Sequence, residues 1–536
     1  MGMFLNSIDS YEKYKTMAFS TYFVDKTALL AELIPALFEE PRHICITRPR
    51  RFGKTVMANM IGSFFNTGID SSDVFDRLEI AKDSVYQKHL NKHNVIQIDF
   101  SKVDDECKSY RTYIGDIKDL LREDLHAAYP NVTFRNEGTV VEDLKRIYAK
   151  TKEQFIFVLD EWDAVFHMPF VKESDQQNYL LFLKSLLKDQ AYVSMAYMTG
   201  VLPIAKYSSG SELNVFVEYS MVIMKRYSNY FGFTEEEVDM LYEEYLKITE
   251  NPEVTRKGLR LWYDGYHTAS GERMYNPRSV ACALQNNQLS NYWTSSGPYD
   301  EIFYYIRNNI EDVRDDLALM IAGEKVSAKV QEYAAISTEL DTKNQIYSAM
   351  VVYGLLTYED GEVFIPNKEL MGKFEELLQT KSTLGYVYQL AKESDRMLSA
   401  TLHNDTQTMS EILSYAHNTE TPIFSYNHEV ELSAIVNLVY LSARDKYRIE
   451  REDKSGKGYV DFIFYPVKPG DDCIILELKA DHTPEEAIQQ IKEKQYALRF
   501  SGKLGEIPKY TGRILAVGIS YSKETKEHNC KIEVIK

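Results

Sequence analysis

Short apolar runs at His43–Thr47, Val95–Phe100, Phe155–Leu159 and Val193–Met198 punctuate the first part of the chain. Their length and their β-branched and aromatic content predict strands. Between them lie stretches with helical spacing, such as Tyr179–Lys188. Strands that alternate with helices predict a mostly parallel sheet covered on both faces. Thr234 followed by Glu235, Glu236 and Glu237 predicts a helix over Glu235–Ile248, with the threonine as its cap and acids at the positive end of its dipole. From about residue 250 to 425 the pattern is mainly helical. The exception is Gly354–Pro366, where two apolar runs flank Glu359-Asp360-Gly361. Asp-Gly between strands predicts a hairpin, and the helices beside it suggest a small winged-helix-like unit. The last part reads as a helix (Glu429–Ala443), two strands (Tyr459–Tyr465 and Cys473–Leu478), a helix (Pro484–Phe500) and a strand (Arg513–Ser520). An α/β chain in three parts is expected, over residues 1–250, 251–424 and 425–536.

The loop after the first run carries the first candidate chemistry. Thr47-Arg48-Pro49-Arg50-Arg51-Phe52-Gly53-Lys54-Thr55 follows a strand and opens a helix, which is the context of a phosphate loop. In that reading the backbone from Arg51 through Phe52 and Gly53 wraps phosphates, Lys54 reaches the β- and γ-phosphates, and the Thr55 hydroxyl binds Mg²⁺. Arg48 stands where the usual pattern has its first glycine, so the remaining Gly-Lys-Thr is weak alone; a basic loop capping a helix would look the same. The third strand strengthens it, because Phe155–Leu159 ends in Asp160-Glu161. Ligands of open α/β sheets bind at the carboxyl ends of strands. Asp160 would hold Mg²⁺ through water and Glu161 would polarise the attacking water. One of Arg48, Arg50 and Arg51 could stabilise charge on the transferring phosphoryl group, in its own subunit or a neighbouring one; ion pairing with the acidic surface is the plainer role for the others.

A second constellation lies near the end. Gly458-Tyr459-Val460-Asp461 begins one strand and Glu477-Leu478-Lys479 ends the next. Strand side chains alternate faces, so Glu477 and Lys479 point the same way. If the strands are neighbours, Asp461 and Glu477 can hold a divalent metal, and Lys479 can position water or stabilise phosphate charge. Glu-x-Lys alone is common on solvent-facing strands. Leu476 and Leu478 keep the alternation clean, the following helix carries Gln490, Lys494 and Tyr496, and Glu431 on the preceding helix offers a further acid.

With these stretches in view, the chain resembles the bacterial AAA-ATPase-like family that carries a C-terminal PD-(D/E)XK nuclease-like domain. The resemblance rests on Tyr22-Phe23-Val24-Asp25-Lys26-Thr27, Arg48–Thr55, Leu159-Asp160-Glu161-Trp162-Asp163 (Trp162 where Tyr is usual), Thr199-Gly200-Val201, Tyr230–Thr234, Trp262–Tyr266 and Tyr275-Asn276-Pro277. It implies an AAA-like P-loop NTPase sheet, a helical lid or linker and a small nuclease-like domain. It makes the missing glycine a family trait. It implies ATP with Mg²⁺ at the first site, and Mg²⁺ or Mn²⁺ at the second. Thr199 becomes a polar γ-phosphate sensor at a strand tip, where an ordinary strand-end threonine fits as well. Asp25 is either part of the nucleotide pocket or a helix cap before Lys26–Leu33. Gln490, Lys494 and Tyr496 match the nuclease Q-x-x-x-K-x-Y pattern. The implied activity is ATP hydrolysis coupled to metal-dependent action on nucleic acid, DNA ahead of RNA, with a homo-oligomer as a further expectation. The competing reading is an ATP-driven switch whose nuclease fold only binds nucleic acid or protein.

Composition narrows the setting. With 44% hydrophobic and 26% charged residues in 536, the chain reads as globular and too long for one core. A net charge of −18 argues against nonspecific coating of nucleic acid. Basic and acidic residues balance from His428 onward, so the excess acid lies upstream and the tail is the better candidate for nucleic acid. The five cysteines are scattered without a C-x-x-C pair, which fits neither a zinc site nor a disulfide framework. A reducing cytoplasm is the expected setting. No membrane span, export leader or myristoylation signal is read from the sequence.

Overall fold

The computed structural model describes residues 2–204, 213–293, 310–330, 342–380, 386–418, 429–455, 458–500 and 510–536. The chain divides into two compact units, one of Met1–Tyr299 with Ser327–Glu369, the other of Asp300–Val326 with Leu370–Lys536. No helix among the described residues is long and apolar enough to cross a membrane.

The first unit is a parallel sheet of five strands: β1 (His43–Thr47), β2 (Asn94–Asp99), β3 (Phe155–Asp160), β4 (Val193–Gly200) and β5 (Val217–Tyr219). Their spatial order is β2-β3-β4-β1-β5, all parallel. β4 thus lies between the strand that feeds the phosphate loop and the strand that ends in the acids. The expected runs fall within a residue or two of these strands. β5, only three residues long at the sheet edge, carries too short a run to register as a strand.

Strand alternation divides the core in two. Ile44 and Ile46, Val95, Ile156 and Val158, and Met195 and Tyr197 pack with Met57, Ile61 and Phe64 of the helix Lys54–Phe65. Cys45, Ile96, Ile98, Phe155, Phe157, Leu159 and Met198 pack on the other face with helices Tyr110–Ala128, Val140–Thr151 and Glu173–Leu187. Burial on both faces explains the continuous apolar runs. Thr234 caps Glu235–Ile248 in a capping box with Glu237, as its sequence context predicts. Thr357–Glu359 and Glu362–Phe364 form the expected hairpin, with Asp360 and Gly361 both at positive φ.

The second unit contains an ordered five-strand sheet: β6 (Tyr447–Ser455), β7 (Gly458–Pro466), β8 (Cys473–Ala480), β9 (Ile514–Ser522) and β10 (Glu527–Val534). Neighbours are antiparallel except β8 and β9, which are parallel and joined through the helix Pro484–Glu493. β6 and β10 are charged edge strands, whose polarity hides them from a search for apolar runs. The helix Glu429–Val439 ends sooner than expected and passes into a 3₁₀ turn at Leu441–Asp445. Pro484–Phe500 is likewise two elements, because Gln495 adopts a left-handed φ of 58° before the turn Tyr496–Phe500.

Candidate functional site

The first site grows from strand alternation. Asp160 is in phase with Ile156 and Val158, Thr199 with Met195 and Tyr197, and both therefore face the helix that begins at Lys54. The Thr199 hydroxyl donates to the Asp160 carboxylate, and the Thr55 hydroxyl bonds the same group. Asp160 is 2% exposed, and burial pushes its pKa up to about 6. Glu161, the next residue, has a left-handed φ of 50°, a strained conformation of the kind found at functional turns. Burial raises its pKa, while the Lys54 charge opposes that rise. The turn is stitched to β4: the Trp162 N–H donates to Thr199 O at 2.9 Å, and Asp163 accepts from the N–H groups of Val201 and Leu202 at 3.0 and 2.7 Å.

Lys54 opens its helix directly after Gly53, whose φ of 88° suits glycine. The lysine is not a solvent-facing loop charge. Its side chain is 3% exposed, donates to the carbonyls of Arg48 and Pro49 at 3.1 and 3.2 Å, and lies 4.0 Å from Glu161. Thr55 is exposed. The first-turn N–H groups of a helix lack partners within it and point out from its N-terminus, as an anion site requires.

The three loop arginines separate. Arg48 is 1% exposed and turns inward, donating to the carbonyls of Thr47, Tyr219 and Tyr227 at 2.7, 2.6 and 3.3 Å. It also lies over the Phe231 ring, and burial lowers its pKa to about 10. It pairs with backbone carbonyls rather than with the acidic surface. Arg51 donates to Tyr292 O at 2.5 Å. Arg50 acts electrostatically on Glu161. Phe52 is buried edge-on against Tyr266. The stretches 230–234 and 262–266, matched in the sequence only as family motifs, are thus the packing that braces the loop. Asp25 accepts from Thr27 N–H and hydroxyl at 2.8 and 2.7 Å and from Glu79 N–H at 2.7 Å, so it fastens chain segments together; the following helix starts at Ala28.

Asp99 went unread in the sequence. It ends β2 directly beside Asp160, and the two share the lining of a cavity of ≈ 740 Å³ with Thr55, Asn59 and Gln97. The signal was available as polar Gln97 and Asp99 at alternate positions of an otherwise apolar strand.

In the second unit, Cys473 and Ile475 pack toward Ile488 and Ile491 of the helix Pro484–Glu493, which puts Glu477 on the helix side. Glu477 accepts from Gln490 Nε2 and from Lys479 Nζ, the latter at 3.2 Å. Its second oxygen, Oε2, is buried without a hydrogen-bond partner. Burial pushes its pKa up to about 7, with the Asp461 charge adding to the rise and Lys479 opposing it. Asp461 accepts from Leu478 N–H at 2.7 Å across β7 and β8. Tyr496 is buried and hydrogen-bonded to Gln490. Gly518 lies opposite Glu477, and a Cβ there would come 2.3 Å from Pro484 O, so glycine permits the close helix approach. Lys494 follows the helix and is exposed. Glu431 lies on the helix Glu429–Val439, but its side chain lies outside the described residues.

Residues 6–209 match the family described as "Predicted AAA-ATPase", and residues 432–528 match the PD-(D/E)XK nuclease superfamily. The chain joins an AAA-ATPase-like domain to a PD-(D/E)XK nuclease-like domain. A curated protein of Azotobacter chroococcum mcd 1, described as an uncharacterized protein in the vnfD 5′ region, is 28% identical over 281 residues, 52% of this chain and 51% of that one. The chain thus spans about half the length of the curated relative it matches. Among solved structures, a Walker-type ATPase of Pyrococcus abyssi has 11% identity and a TM-score of 0.36, covering 66% of this chain and 96% of that one. The ORC2 protein of Aeropyrum pernix in its ADPNP–ADP complexes has 13% identity and a TM-score of 0.31, covering 69% and 93%. Neither likeness bears on ligands or partners.

Two predictions follow from these geometries. Arg48→Gly, which restores the usual loop glycine, is expected to destabilise the protein by about 3 kcal/mol, because buried carbonyls lose charged donors. Urea unfolding measures it, and an unchanged midpoint would contradict the bracing role. For Glu477, a carboxyl group whose pKa burial raises to about 7, the cost to folding is absent below the usual carboxylate range, accumulates as pH rises from that range to about 7, and is full above it. Glu477→Gln is therefore expected to stabilise metal-free protein by up to about 3 kcal/mol near pH ~8, with most of the gain gone near pH ~5. Denaturant midpoints at the two pH values test this; an equal effect at both would show that ionisation is not the cause.

Proposed function

We propose that this protein is an ATPase whose cycle governs metal-dependent cleavage of nucleic acid, DNA ahead of RNA, in the cytoplasm. The observation that carries the nuclease half is the buried, unpartnered Oε2 of Glu477 beside Asp461 and Lys479. A buried acceptor without a donor is costly, and a divalent cation is the partner that two adjacent carboxylates suit. Asp461 and Glu477 would hold Mg²⁺ or Mn²⁺, which when bound supplies Lewis acidity toward the scissile phosphate. Gln490 keeps Glu477 oriented, with Tyr496 behind it, and Lys479 serves the attacking water or the phosphate charge. Glu431 is proposed as a further acid of this site.

In the first site the donor set of Thr55 and Asp160 suits Mg²⁺, and the carboxylate raised to about 6 would ionise readily beside a cation. Mg²⁺ when bound would neutralise phosphate charge there. The backbone of Arg51, Phe52 and Gly53 and the Lys54 ammonium bind the phosphates. Binding draws Lys54 from the carbonyls of Arg48 and Pro49 to phosphate oxygens. Glu161 takes the proton of the attacking water, and Thr199 holds Asp160 in place while its strand tip reads the γ-phosphate. Arg50 is the loop arginine proposed to face the transferring group, and a homo-oligomer could supply another. The divisions at about residues 250 and 425 remain the proposed functional boundaries.

Lys54→Ala is expected to lower ATP affinity by more than 10-fold, read by a fluorescent analogue, and Glu161→Gln to keep binding but slow hydrolysis by about 10²–10⁴-fold. Wild-type behaviour in both would remove the nucleotide assignment. For the nuclease half, purified full-length protein is incubated with labelled DNA and RNA, with and without ATP, in Mg²⁺ or Mn²⁺. Lys479→Ala is expected to abolish cleavage while sparing ATP hydrolysis. Equal cleavage by mutant and wild type would refute the assigned site; retention of nucleic acid without cleavage by wild type under every condition would favour the binding-only switch.

A further inference from the structure

The strand beside Asp160 carries a carboxylate that the nucleotide reading leaves unused. β2 alternates: Ile96 and Ile98 enter the core face shared with helix Tyr110–Ala128, while Val95 packs on the face of the phosphate-loop helix. Gln97 and Asp99 are in phase with Val95 and face that helix too. Gln97 Nε2 donates to Asn59 Oδ1 at 3.0 Å, which ties strand to helix at that level. One helical turn back from Asn59 is Thr55, and two strand residues on from Gln97 is Asp99. A helical turn rises about 5.4 Å and two strand residues about 6.6 Å, so the next rung pairs Asp99 with Thr55. The register independently puts Asp99 beside Asp160, and all three residues line the same cavity. Asp99 Oδ1 accepts from Ser101 N–H at 3.0 Å and from Ser101 Oγ at 2.6 Å, which fixes the carboxylate's orientation. Its charge also raises the pKa of both Asp160 and Glu161.

We propose that Asp99 is a third carboxylate of the nucleotide site, one that would accept a hydrogen bond from the water shell of a Mg²⁺ held by Thr55 and Asp160 and so set how much divalent metal the site requires. The proposal rests on the nucleotide reading above. Asp99 is then a positioning residue for the metal's water shell, distinct from Asp160, which Thr199 and Thr55 already engage.

The test is nucleotide binding rather than turnover. A fluorescent ATP analogue is titrated onto full-length protein in chelator and then across a range of Mg²⁺. Asp99→Asn keeps the shape and removes the charge. It is expected not to weaken metal-free nucleotide binding, since it takes a like charge from beside the phosphates, and to raise the Mg²⁺ concentration for half-maximal tightening by about 10–100-fold, the usual cost of losing an outer-shell partner. Ser101→Ala, which keeps the charge but loosens its orientation, is expected to shift the same midpoint in the same direction by less. A purely structural turn would lower thermal stability and metal-free affinity and leave the Mg²⁺ midpoint where it was; that result overturns the proposal. An unshifted midpoint in a stable Asp99→Asn protein does so equally. Failure of the wild type to bind nucleotide at all would overturn the nucleotide reading and this assignment together, whereas normal wild-type binding with an unmoved mutant midpoint removes Asp99 alone.

Discussion

A guanidinium buried almost completely, donating to three backbone carbonyls, holds the phosphate loop where it is. Arg48 occupies the position at which such loops normally bend through a glycine, and it turns inward to the edge strand β5 and to Tyr227. A buried arginine without a carboxylate partner is costly, which explains why so much of the unit is arranged around it. The ring of Phe231 covers its face, Phe52 closes against Tyr266, and Gly354 approaches the loop closely enough that a Cβ there would come 2.7 Å from Pro49 Cβ. The loop is thus placed by packing and carbonyl acceptors rather than by glycine flexibility. Lys54 inherits its position, since two of its three acceptors in reach are carbonyls of this braced segment.

Both sites use one geometric device. A parallel or mixed sheet is buried on two faces, so a polar side chain at an alternate position near a strand's carboxyl end emerges under a helix, where water is scarce. Asp160 beneath the phosphate-loop helix and Glu477 beneath the helix Pro484–Glu493 are such residues, 2% exposed each. Their carboxyl groups are raised for the same first cause, burial, and each is held by a neutral donor, Thr199 or Gln490. That arrangement costs folding free energy, which a divalent cation bound as proposed would offset. The cost falls on stability and the return falls on affinity for charge.

What could be read in the sequence follows from this. The apolar runs of β1 to β4 and the acids at the tip of β3 are local signals, and they sufficed for the α/β architecture and for the grouping of Lys54, Thr55 and Asp160, whereas Thr199 joined them only through the family resemblance. The pairing of Asp461 with Glu477 depended on two strands being neighbours, which the short connection between them favoured. The role of Arg48 was hidden because its acceptors lie on residues 219 and 227, far along the chain, and backbone carbonyls leave no mark in composition. The edge strands β6 and β10 were missed because charge, which protects an exposed edge, also erases the apolar pattern that marks a strand.

Asp163 shows how far the candidate nucleotide site extends beyond the groups that would touch ligand. Its carboxylate accepts the N–H groups of Val201 and Leu202, just past the tip of β4, while the N–H of Trp162 reaches back to Thr199 O. The acidic turn and the Thr199 strand tip are therefore one hydrogen-bonded piece. A shift at Glu161 would be carried into Thr199 and into the residues after Gly200. Gly200 has no side chain because a Cβ there would come 2.5 Å from the Trp162 ring and 2.6 Å from Asp163 Oδ1. Glycine at that point is required by close approach, whereas Gly53, with open space about it, is required by its left-handed backbone. The two glycines thus serve opposite ends of one site: one lets the loop turn into its helix, the other lets two strand tips close on each other.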